Sequence, residues 1–286
     1  KYADGARAFR QEILKAPRSP ETNYYMGRFL LAEKKHADAL KHLQKAVRYR
    51  PSNAEYHFWL GVAYGASGKH VLERKSYEKA LSCNPRHLQS LIYLGHWHLE
   101  QKKYHSALTN YRKVLEIWPE CPSALYNRGM IMRALNRTPE ERQAWKEYLA
   151  HYPAGPMARR AVINLNRLGD FAYRNHIFGH RTVTLKKIRF NSFSPDISKT
   201  SFASLDLVGE ILSNANTLSI HVIAYQKNNE KLAKARAQSI KKYLLARFSK
   251  VRSSQIQLSW FTAPEKITSG KKTFIEEESI NIFSSP

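Results

Sequence analysis

Acidic side chains are scarce in this chain. Only 23 Asp+Glu stand against 47 Lys+Arg, which leaves a formal charge of +24 on 286 residues. Few carboxylates are therefore available for the convergent, perturbed pair that a hydrolase needs. Cysteine is nearly absent. Cys83 and Cys121 are the only two, and neither belongs to a C-x-x-C motif, so both read as ordinary small residues. No stretch is apolar and long enough to span a membrane, and no signal peptide is visible at Lys1. Nucleophile elbow, phosphate loop and H-E-x-x-H are all missing. Catalysis thus has no positive support, and no cofactor is expected. The closest histidine pairs are His176/His180 and His96/His98. No cysteine or carboxylate stands at a useful spacing to complete either, so no metal site is expected.

What the chain does carry is positive charge, in both halves. Residues 1–170 hold 29 Lys+Arg against 15 Asp+Glu, and residues 171–286 hold 18 against 8. Such a field favours polyanionic partners, among them nucleic acid, anionic lipid and acidic polymers. A nucleic-acid or polyanion-binding protein therefore remains an alternative reading, although no recognised nucleic-acid motif accompanies the charge. Solvated surface lysines explain the same excess equally well.

Proline is periodic. Pro17, Pro51, Pro85, Pro119 and Pro153 lie 34 residues apart. Proline cannot continue a helix, so each one ends a unit and opens the turn to the next. Gly27, Gly61, Gly95 and Gly129 keep the same step. Glycine inside a helix costs about 1 kcal/mol relative to alanine, so a glycine in phase predicts close packing of one helix on its neighbour. Ala39, Ala46, Ala80 and Ala107 supply small residues at the crossings, and Leu43, Tyr77, Tyr111 and Trp145 supply bulky partners. The run Leu60-Gly-Val-Ala-Tyr64 is similar to the tetratricopeptide (TPR) signature Leu-Gly-x-x-Tyr, and Ala107-x-x-x-Tyr111 resembles its Ala-x-x-x-Phe. The resemblance implies an all-α TPR solenoid over residues 1–170: a half unit at 1–19, four repeats at 20–53, 54–87, 88–121 and 122–155, and a closing helix at 156–168. Arg128, Glu141 and Glu73 depart from the family pattern, the last two standing where it has alanine. Because residues 1–16 supply only a second helix, further residues are expected before Lys1, with room for a lipid anchor.

After Gly169 the period ends. Residues 171–184 read as a connector. Strands are expected at 185–190, 218–225, 256–261 and 279–283, and helices at 202–215 and 228–248, which gives a β-α-β-α-β-β order with helices on a mixed sheet. The segment Leu232-Ala-Lys-Ala-Arg-Ala-Gln-Ser-Ile-Lys-Lys-Tyr-Leu244 resembles the L-S-x-x-R-A-x-x-V-x-x-Y-L helix of OmpA-like domains. Ser259-Trp-Phe-Thr-Ala-Pro264 resembles the family's G-x-G-x-x-x-P segment. The resemblance implies an α+β OmpA-like domain at 185–286 that binds peptidoglycan. In that family an aspartate takes the ammonium of a diaminopimelate zwitterion, and an arginine takes its carboxylate. The arginine maps onto Arg236 and the preceding asparagine onto Asn228 or Asn229. The aspartate is replaced: Ala224-Tyr-Gln-Lys227 stands for G-H-T-D, and Lys227 would repel the ammonium. Arg236, Lys227 and Asn228 are thus the candidate peptidoglycan or anion contacts, and binding is expected to be weak.

In the repeats, the first helix of each unit is expected to line a groove for a protein partner. Offsets five and nine point Tyr24, Phe58, Ile92 and Tyr126 inward, then Arg28, Val62, His96 and Met130, with Arg133 extending the row. Together these features imply a non-enzymatic scaffold, and the OmpA-like resemblance implies that it belongs to the bacterial envelope, periplasmic and associated with the outer membrane.

Overall fold

The structure, a computed structural model, describes residues 12–285. Most of the half unit at 1–19 lies outside the described residues, although 12–15 are helical. Among the described residues nine helices follow at the expected step: α1 Pro20–Ala32, α2 His36–Tyr49, α3 Ala54–Ala66, α4 His70–Cys83, α5 Leu88–Glu100, α6 Tyr104–Ile117, α7 Pro122–Ala134, α8 Thr138–His151 and α9 Gly155–Arg167. α1 pairs with α2, α3 with α4 and α5 with α6, as a TPR solenoid requires. The caps repeat as well. Ser19, Asn53 and His87 each stand before a first helix and accept a backbone N–H three residues on.

The periodic glycines have the packing reason anticipated for them. A Cβ on Gly27 would lie 2.5 Å from Leu43 Cγ, and one on Gly61 would lie 2.5 Å from Tyr77 Cε1. On Gly95 it would meet Tyr111 Cε1 at 2.8 Å. Each bulky side chain of a second helix thus fills the space the glycine leaves. The inter-helix turn is also in phase: Lys34, Gly68, Lys102 and Asn136, again 34 apart, all have positive φ, between 55° and 69°.

Contacts divide the chain into two compact units between Ile131 and Met132. In the second unit α9 carries the start of the β structure. Asn175 Nδ2 donates to Arg159 O at 3.1 Å, and Asn166 Nδ2 donates to Tyr173 O at 2.8 Å. The stretch 171–184, expected to be a connector, instead forms most of a hairpin, β1 Tyr173–Phe178 and β2 Arg181–Lys186. Gly179, at φ 58°, makes its tight turn. The strand expected at 185–190 is therefore shifted back and belongs to this hairpin rather than to the main sheet.

That sheet has three strands in the order β4-β3-β7: Ile256–Phe261, Ser219–Gln226 and Glu278–Ser285. β3 pairs parallel with β4 and antiparallel with β7. Helices α10 Phe202–Asn214 and α11 Glu230–Arg247 supply the rest of the core. Leu205, Val208 and Leu212 of α10 pack with Ile220, Val222 and Ala224 of β3 and with Ala233, Ala237, Ile240 and Leu244 of α11. A second hairpin, β5 Glu265–Ser269 with β6 Lys272–Glu276, was not expected from the sequence. It is held by a buried ion pair in which Arg174 meets both Glu265 oxygens at 2.8 Å.

Candidate functional site

In the repeats, the offset-five residues divide. Tyr24 and Phe58 are 5% and 4% exposed, so they are packing residues rather than an open face. Ile92 and Tyr126 are half-buried. The more open aromatic row lies one residue later: Tyr25 and Tyr93 are each 43% exposed, and half-buried Trp59 stands between them at the same step. Tyr93 sets its ring edge against Phe58 at 5.1 Å. The offset-nine row stays accessible in part. Arg28 and Met130 are exposed, and Val62 and His96 are half-buried.

Arg28 is positioned by aromatics. Its guanidinium lies 4.4 Å from the Trp59 ring centroid and donates to Tyr24 Oη at 3.0 Å. Tyr24 in turn donates to Glu55 Oε1 at 3.1 Å. Glu55 is a hub that sequence reasoning missed. It also accepts from Trp59 Nε1 at 2.8 Å and from His87 Nε2 at 3.0 Å, so it ties the first repeat to both ends of the second. His87 can donate there because its Nδ1 accepts the Ser90 N–H that caps α5. The His87 bond, against the opposing cost of burial, holds the Glu55 carboxyl down to about 2. Burial, with Glu55 nearby, pushes Tyr24 up to about 12. The only sequence signal was an acid at the start of α3, which reads equally well as dipole complementation.

Arg133 does not simply extend the row: it bonds Asn164 Oδ1 of α9. Glu141, at an alanine position of the family, is 2% exposed and accepts from Trp145 Nε1 at 3.1 Å and from Arg167 at 2.9 and 3.1 Å. Glu73, the other departure, occupies space beside a non-periodic glycine. A Cβ on Gly65 would lie 2.7 Å from Glu73 Oε1.

In the second unit Arg236 is buried, at 5% exposure. Its Nε donates to Ser194 O at 3.2 Å, its Nη1 donates to Gln226 and, at 2.8 Å, to Glu278 Oε2, and its face lies 4.9 Å from the Phe190 ring. An acid does meet the arginine, but it comes from β7 and bonds it directly. Lys227 is exposed and pairs with Glu277 at 2.6 Å. Asn228 takes a positive φ of 58° and donates its backbone N–H to Thr262 O, while Asn229 caps α11. Asn228 is thus a turn residue.

His176 is buried, and its Nδ1 donates to Ile282 O at 2.8 Å. Burial drives it down to about 4. His180 is exposed in the β1–β2 turn. Among the described residues no group of three or more His, Cys, Asp or Glu is placed to hold a metal ion. Cys83 and Cys121 are both free thiols. No described helix is long and apolar enough to cross a membrane.

Comparison with known proteins agrees with this architecture. Residues 17–68 match a TPR repeat model, residues 94–156 match a tetratricopeptide repeat model, and residues 189–278 match the OmpA family. The chain therefore joins TPR repeats to an OmpA-family domain. Solved TPR structures resemble it at low identity. MamA is 20% identical, covering 52% of this chain and 88% of its own, with a TM-score of 0.50. YrrB, described as a TPR protein with an unusual peptide-binding site, is 18% identical over 57% of this chain and 82% of its own, at 0.51. PilW, described as a widely conserved type IV pilus biogenesis factor, is 14% identical over 58% and 79%, also at 0.51. At these identities the likeness speaks for the repeat fold alone. A search of curated proteins finds no match.

Proposed function

We propose that this chain is a non-enzymatic scaffold of the bacterial envelope, periplasmic and associated with the outer membrane. Residues 1–170 hold a protein partner, and the OmpA-family part associates with the cell wall or another anionic envelope component. The observation that carries the reading is the periodic aromatic row Tyr25, Trp59 and Tyr93, set beside the exposed, ring-stacked Arg28. Aromatic rings with an anchored guanidinium suit an extended segment that offers apolar side chains and a carboxylate. Val62, His96 and Met130 continue this surface in the same unit. Support for the envelope comes from the OmpA-family match.

Cross-linking capture from native envelopes tests the scaffold. The full chain is expected to retain a protein that the Arg28→Glu and Tyr93→Ala variants lose. Equal capture by all three would refute the groove. The +24 charge favours a second reading, nucleic-acid binding. That reading requires affinity for RNA or DNA that falls steeply as salt rises.

A further inference from the structure

A buried guanidinium needs an acceptor for each of its N–H groups. For Arg236 two of the acceptors are built in, the Ser194 carbonyl and the Gln226 side chain at the end of β3. Glu278 differs in kind. Its side chain is 61% exposed, whereas that of Arg236 is 6% exposed. A carboxylate thus reaches in from solvent onto a cation that cannot leave. Beside it lies a pocket of about 40 Å³ lined by Lys187, Arg189, Phe190, Arg236, Glu278 and Ser279. Of its three lining cations Lys187 is paired with Glu276 and Arg236 with Glu278, so Arg189 supplies the excess positive charge that favours a group bearing negative charge without an ammonium.

We propose that Glu278 is an internal stand-in for an external oxyanion, a carboxylate or phosphate group that displaces it from Arg236. The forked N–H geometry of arginine accepts either group. Glu278 then sets the threshold: the site stays closed until a polymer presents enough such groups to outcompete a tethered carboxylate. The proposal rests on the OmpA-family part being an anion-recognising module and adds the competitor that controls it. It also reverses the ligand preference expected from an intact zwitterion site.

The test measures the affinity of the full chain for inorganic phosphate and, separately, for acetate by calorimetric titration, and follows the Arg236 Nε–H resonance in the chains that keep the arginine. An exposed competitor is worth little, so Glu278→Gln should bind about fivefold more tightly than the native chain. The double variant Glu278→Gln, Arg236→Lys keeps the charge but loses the fork, and should lose that gain. Tighter phosphate binding points to phosphate-bearing polymers, and tighter acetate binding points to uronate-like ones. Either result supports the exchange. Equal affinity in the native and Glu278→Gln chains overturns it, as does a gain that survives Arg236→Lys, which would place the anion on surface lysines. Sedimentation with cell-wall sacculi is scored separately. A chain whose Arg236 signal responds but which ignores sacculi keeps the exchange and loses the envelope reading. A chain that sediments while its Arg236 signal never moves loses the exchange alone.

Discussion

Glu55 offers a direct test of how the repeats are coupled. Its carboxylate receives Tyr24 from the first repeat, Trp59 from its own and His87 from the end of its own repeat, at the cap of α5. Its pKa is depressed from 4.5 to about 2 in the folded chain. Between those values the unfolded chain binds the proton and the folded chain does not. The stabilisation is therefore fully present above about pH 4.5 and is lost as pH falls toward about 2. A shift of that size would correspond to about 3 kcal/mol. The Glu55 side chain is 40% exposed, however, and solvent screening reduces the contribution to about 1–2 kcal/mol. Glu55→Gln removes the charge and sets an amide N–H against the His87 donor, so it should destabilise the chain by about that amount at pH 6. It should also flatten the acid dependence between pH 6 and 3. Hydrogen exchange of α1, α3 and α5 amides reports on this region without assuming that the whole chain unfolds in one step. Comparison with the variant removes the effect of other carboxylates. If native chain and variant lose the same protection between pH 6 and 3, the hub does not couple the repeats.

His176 provides a second pH test with its own window. Its folded pKa of about 4 lies below the ordinary 6.5, so the unfolded chain binds the proton first and stability falls as pH drops from about 6.5 to about 4. Up to about 3 kcal/mol is at stake, read as lost exchange protection in β1 and β7 that His176→Gln abolishes. Gly27→Ala should cost about 1–3 kcal/mol in denaturant melts, because the new methyl lies 2.5 Å from Leu43 Cγ; a neutral result would show that Leu43 relaxes. Glu141→Ala should cost about 2–3 kcal/mol by removing the buried carboxylate to which Trp145 and Arg167 donate, and restoring an acceptor with Glu141→Gln should recover about 1 kcal/mol of it. Failure of the second substitution to help would remove hydrogen bonding as the reason for Glu141.

The repeat architecture was legible because one geometric demand recurs every 34 residues. Gly27, Gly61 and Gly95 each answer a bulky residue sixteen positions later, and sequence records both members of the pair. What faces outward leaves a weaker trace. Tyr24 and Tyr25 are adjacent and identical in type, yet one is 5% exposed and the other 43% exposed, because a step of one residue turns a side chain by about 100° around a helix. Repeat numbering alone could not separate them. Glu141 shows the same limit from the other side. Read as a departure from an alanine consensus, it looks like damage, whereas its partner Arg167 lies a full helix away and makes it a buried tie. The missed hairpin β5–β6 forms a separate two-stranded sheet with few buried residues, so no strong alternation announces it. Arg236 combines the two cases. The helix that carries it was readable from its resemblance to the family's helix, and four apolar positions on the face of the arginine, Ala233, Ala237, Ile240 and Leu244, are buried. Glu278 was not, since it lies 42 residues on at the start of an edge strand. Only the fold brings that carboxylate onto the guanidinium, which turns an apparent loss of the family's acid into competition for its base.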